Sequence, residues 1–74
     1  MKKSIYGAEH KFIIERLKEA RQHAGLKQEE VARRLNRPQS YVSRIESGQV
    51  RIEVLQLTEF ARIYKKKLEW FVRN

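Results

Sequence analysis

Seventy-four residues without a cysteine make one small domain and exclude both a disulfide staple and a zinc–thiolate site. Seventeen Lys and Arg against nine acidic residues, all of them Glu, give a net charge of +8. That balance suits a polyanionic partner, although small stable helical proteins also carry many surface Lys and Arg. No apolar run approaches the ~18 residues of a membrane span. The two lysines of MKKSIYGAEH are not followed by the apolar stretch of a signal peptide. A soluble, cytoplasmic protein is therefore expected. Residues 1–36 and 37–74 each net +4, so any basic face has to be built by folding.

The inventory also argues against an enzyme. There is no Asp and no Cys, and His10 and His23 lie thirteen residues apart with no partner at metal-ligand spacing. Three scattered glycines form no phosphate-cradling loop. No catalytic residue, metal or cofactor is expected. His23, near a helix C-terminus, is read as compensating the helix dipole.

Taken in order, residues 1–8 lack periodicity and read as a frayed N-terminal arm, most simply a solvated tail and otherwise a basic arm that reaches along DNA. Residues 9–74 form the folded domain. A first helix is predicted from Glu9 to His23, with Ile13, Leu17, Ala20 and Ala24 on its inner face, Phe12 and Arg16 flanking them, and Gly25 as the left-handed cap. The run QEEVARRLNRPQSYVSRIES, Gln28 to Ser47, predicts two short helices meeting at a tight corner. Val31, Ala32 and Leu35 point inward from one, Val42 and Ile45 from the other. Ala32 is small where two helices cross, Asn36 tolerates the left-handed turn, and Pro38 opens the second helix. Lys27 is a poor N-cap, so the start of the first of these two helices is weakly signalled. Gln39, Ser40, Ser43 and Arg44 are left pointing outward. A loop over residues 49–52 carries Arg51. A fourth helix follows over residues 53–64, with Val54, Leu57, Ala61 and Tyr64 in step and Phe60 beside them. Lys65, Lys66 and Lys67 form either a phosphate clamp or, as we read them, a solvated link. A short last helix over residues 68–72 brings Leu68 and Phe71 to close the core and leaves Trp70 partly outside. Aromatic residues are enriched at interfaces, which makes Trp70, with Phe71, a candidate dimer contact, packing of Trp70 over the core edge being the equal alternative.

This pattern resembles the helix-turn-helix of the Cro and phage-repressor (Xre) family of transcriptional regulators. RPQSYVSRIESG is similar to the family's turn and recognition helix, RLKEARQHAGLKQEEVA to its first helix and the start of its second, and IEVLQLTEFARIY to its fourth. The likeness covers roughly residues 16–71. Two positions depart from it: Asn36 stands where the family usually has Gly, and Tyr64-Lys65-Lys66-Lys67 replaces a Leu-Gly-type turn.

The resemblance implies an all-α, compact five-helix lambda-repressor-like domain of prokaryotic or phage origin. Its third helix would enter the major groove of double-stranded DNA. Gln39, Ser40, Ser43 and Arg44 would then read bases, Gln39 suiting adenine and Arg44 suiting guanine. Gln28, Arg37, Tyr41 and Arg51 would touch phosphates, Gln28 having solvation of a helix end as its plainer alternative and Tyr41 packing of its ring. Arg21 and Glu46 match positions that the family commonly joins by a partly buried ion pair. The implied function is a regulator, a repressor by expectation, acting as a homodimer on an inverted repeat. A different reading of the same fold is an antitoxin or adaptor whose partner is a toxin or another protein.

Overall fold

The computed structural model describes residues 6–73, so the arm expected over residues 1–8 lies largely outside the described residues. Five helices follow one another: α1 Ala8–His23, α2 Gln28–Leu35, α3 Gln39–Glu46, α4 Val54–Tyr64 and α5 Leu68–Val72. There is no strand among the described residues. α2 packs most extensively on α3, and α1 lies across α5, α3 and α4.

One device ends each of the first four helices. A residue in the left-handed region closes the last turn, and the next amide reaches back five residues. The bonds are Leu26 N to Arg21 O, Arg37 N to Ala32 O, Gln49 N to Arg44 O and Lys66 N to Ala61 O. The left-handed residues are Gly25, Asn36, Gly48 and Lys65. Glycine takes that conformation without cost and Asn takes it readily, but Lys65 at φ 56 bears the Cβ penalty. The unusual link after Tyr64 therefore keeps the same turn with a less suitable residue.

The starts of α2 and α4 are also alike. Lys27 N–H donates to Glu30 Oε1 at 2.9 Å, and Glu53 N–H donates to Gln56 Oε1 at 2.8 Å. The third helical residue thus reaches back to satisfy the amide ahead of the helix, which is half of a capping box. This supplies the start that Lys27 itself does not.

The core draws on every helix: Ile14, Leu17 and Ala20 from α1, Val31 and Ala32 from α2, Val42 and Ile45 from α3, Leu57, Phe60, Ala61 and Tyr64 from α4, and Phe71 from α5. Three expectations need correction. The inner face of α1 is His10, Ile14, Leu17 and Ala20, because the helix is turned so that Ile14 rather than Ile13 points inward. Ile13 is only partly buried, and Ala24, beyond the last helical residue, is exposed. Val54 opens α4 on the outside and is 68 % exposed, and Leu68 at the start of α5 is also exposed. Phe71 alone closes the core from α5, at 0 % exposure.

Candidate nucleic-acid interface

α3 has two unlike faces. Val42 and Ile45 are buried, while Gln39, Ser40, Ser43 and Arg44 are all exposed. Among the described residues, none of those four side chains makes a hydrogen bond or ion pair with the rest of the domain. The first turn of α3 carries no acidic residue, so the partial positive charge of its N-terminus is not offset. An approaching anion meets open amides and uncommitted polar groups there.

Arg37 stands just ahead of this helix, and its placement has a structural cause. The Tyr41 ring lies parallel to Phe60, with centroids 6.4 Å apart and planes 3° apart. The Arg37 guanidinium sits over the Tyr41 ring, 4.9 Å from its centroid. A core ring thus supports a surface ring, which supports a cation beside the N-terminus of α3. The same packing corrects the expectation for Tyr41. Its hydroxyl is enclosed by protein and unpartnered among the described residues, so it does not present itself to a phosphate. Its ring instead carries the Arg37 guanidinium.

Behind α3 lies a buried polar cluster. Arg21 Nε donates to Glu46 Oε2 at 2.8 Å and Arg21 Nη2 to Glu46 Oε1 at 3.1 Å, a two-pronged pair. Arg21 Nη1 also donates to the Leu26 carbonyl at 3.0 Å, and Gln28 Nε2 donates to Glu46 Oε1 at 3.0 Å. Glu46 is only 4 % exposed, and its carboxylate at the end of α3 is held from α1 by Arg21 and from α2 by Gln28. The hydrogen bond to Glu46 raises the Arg21 pKa above its ordinary value despite burial. Burial, then the Glu46 charge, pushes the nearby Tyr64 phenol well up. Gln28 is accordingly committed inward, and the negative Glu29 and Glu30 stand in the first turn of its helix.

Arg51 is exposed on the loop after α3, and a residue that sequence reasoning passed over fixes that loop. The Ile52 N–H donates to His10 Nε2 at 3.2 Å, across from α1. His10 is 8 % exposed, and the Tyr6 ring meets it edge-on with centroids 5.0 Å apart. Burial, and then the charge of Arg51, lowers the His10 pKa below 6.5. The available signal was spacing: His10, Ile14 and Leu17 fall on one helical stripe.

The remaining residues lie elsewhere. Trp70 is half-buried with two cations on its ring, Arg16 and Lys66, each 4.5 Å from the centroid. Phe71 has no exposed surface and so cannot serve as the dimer contact expected of it. No group of three or more His, Cys, Asp or Glu able to hold a metal occurs among the described residues. No helix among them is long and apolar enough to cross a membrane.

Comparison with known proteins agrees with this geometry. A family described as helix-turn-helix matches residues 17–71, from the middle of α1 to α5. No curated protein and no solved structure matches the chain. The family match spans all of the helix-turn-helix and most of the core that carries it. The chain belongs to the Xre/Cro-like helix-turn-helix family and is a DNA-binding regulator, in a family of regulators rather than of enzymes.

Proposed function

We propose that this chain reads specific sequences in double-stranded DNA and represses transcription as a homodimer on an inverted repeat. The observation that carries the reading is the uncommitted polar face of α3. Its four side chains are exposed and unpartnered among the described residues, while the Glu46 carboxylate at the end of the same helix is held by Arg21 and Gln28. Gln39 pairs with adenine N6 and N7, and Arg44 with guanine O6 and N7. Ser40 and Ser43 reach base edges or adjacent phosphates. Arg37, on its aromatic support, and Arg51, on its His10-pinned loop, hold phosphates on either side of α3. Gln28 contributes by fixing Glu46, with its second amide proton free for a phosphate.

Salt dependence tests this reading. Anisotropy titrations on a labelled duplex should show the affinity falling steeply between about 50 and 200 mM salt, with a log–log slope near −0.9 for each phosphate neutralised. Arg51→Ala should reduce that slope by about one contact. Weak binding, indifferent to salt and to sequence, would instead favour the adaptor or antitoxin reading.

A further inference from the structure

The link between α4 and α5 concentrates positive charge with little to offset it. Lys65, Lys66 and Lys67 line a hollow of about 620 Å³ together with Arg16 of α1 and Arg73. Its one acidic residue, Glu69, is already held by Arg73 at 2.9 Å. The three lysines make no ion pair among the described residues.

Two features set this hollow apart from a solvated run of lysines. The first is the crowding of cations on Trp70. The Arg16 guanidinium and the Lys66 ammonium each lie 4.5 Å from the centroid of that ring. The indole attracts both, and a nearby anion would relieve the repulsion between them. Arg16 meets Glu19 through Nη1 at 3.3 Å, but its Nε is enclosed and has no hydrogen-bond partner among the described residues.

The second feature is the strained Lys65. Gly25, Asn36 and Gly48 close the equivalent turns after α1, α2 and α3. Here a lysine at φ 56 bears the Cβ penalty, and that lysine lines the hollow. Strain retained where charges converge is characteristic of a binding site.

We propose that this hollow binds a small ligand carrying several phosphate groups. The density of charge selects the class. Five of the seven lining residues are basic, around a cavity of small-molecule size. Carboxylates along an acidic peptide are spread over ~3.3–3.6 Å of chain per residue. A polyphosphate instead packs several charges and strong acceptor oxygens onto a few atoms. Lysine ammonium groups meet phosphate as compact point charges, and Arg16 adds a planar donor group. The hollow is built by α1, the α4–α5 link and α5, and α5 packs on α1 and α4, so the site stands whether or not α3 reads DNA.

Trp70 is the single tryptophan of the chain, so its emission reports on the hollow directly. The full chain is titrated with tripolyphosphate at about 150 mM salt, where distant charges are largely screened, and followed by emission and calorimetry. Saturable binding with a Kd below about 1 mM is expected. Lys67→Glu should weaken it about tenfold, and Lys65→Gly about threefold without lowering the thermal melt. Arg34→Glu, the same charge change placed on α2, should leave the Kd within about twofold. A tetraglutamate peptide should bind more weakly, and a short DNA duplex should not displace the tripolyphosphate. Binding that does not saturate, or that Arg34→Glu weakens as much as Lys67→Glu does, would overturn the proposal. So would a peptide that binds as tightly, or a duplex that competes for the hollow.

Discussion

The two ends of α3 put polar side chains to opposite uses. At its C-terminal end, Glu46 is buried and takes three side-chain hydrogen bonds, two from Arg21 and one from Gln28. Along its outer face, Gln39, Ser40, Ser43 and Arg44 are exposed and make none among the described residues. Within the described residues, the folded chain pairs the charged groups of the first cluster and gives the side chains of the second no hydrogen bond. The first cluster sets the angle at which α3 projects. In the proposed reading, the second is left for DNA. A helix stabilised only for folding would not need this division, since alanines on its outer face would serve better.

Breaking the buried end should have the largest effect. Glu46→Ala leaves the Arg21 guanidinium half-enclosed without its counter-charge and should cost about 3–5 kcal/mol in urea unfolding. The double variant Arg21→Met with Glu46→Leu should recover much of that loss, because replacing both partners with apolar groups removes the unpaired charge.

Lys65 tests the architecture from the other direction. Lys65→Gly relieves the left-handed strain at the end of α4 and should raise stability by up to about 1 kcal/mol, with the added chain entropy of Gly reducing the gain.

A smaller effect belongs to His10, which joins the core to the loop bearing Arg51. Its folded pKa is lowered, so the unfolded chain binds the proton more readily. The His10 contribution is complete above about pH 6.5. It should be lost as pH falls through the lowered value, as protonation removes the acceptor for Ile52 N–H and sets a cation beside Arg51. Thermal melts from pH 7.5 down to pH 5 should show the decline, and His10→Leu should flatten it.

The outer face should matter least for folding. Ser43→Ala and Arg44→Ala should each shift unfolding by no more than about 0.5 kcal/mol. A larger loss would mean that the face is engaged within the domain after all.

Much of this was legible in the sequence because the turns announce themselves. Gly25, Asn36 and Gly48 mark three of the four left-handed closures, and the apolar steps between them leave little freedom for α2 and α3. The fourth closure was hidden, since nothing about a lysine signals positive φ. The α1 face was misread for a related reason. Ile13 and Ile14 are adjacent, both rotations of the helix are consistent with Leu17 and Ala20, and the residue that decides between them is His10, which an apolar count ignores. Val54 and Leu68 look like core in a linear pattern, yet each opens its helix, where the chain has not yet turned inward. The exposed face of α3 could be named from sequence. The aromatic support under Arg37 could not, because Phe60, Tyr41 and Arg37 meet only in the fold.

The most direct test of the uncommitted face is selection of bound duplexes from a random library, with the wild type and Arg44→Ala run in parallel. The wild type should enrich an inverted repeat containing a guanine in each half. Arg44→Ala should keep the repeat and its spacing but lose about 1–3 kcal/mol of preference at that guanine alone. If the wild type enriches no sequence at any salt concentration, or if Arg44→Ala selects the same guanine as strongly, the outer face of α3 does not read DNA.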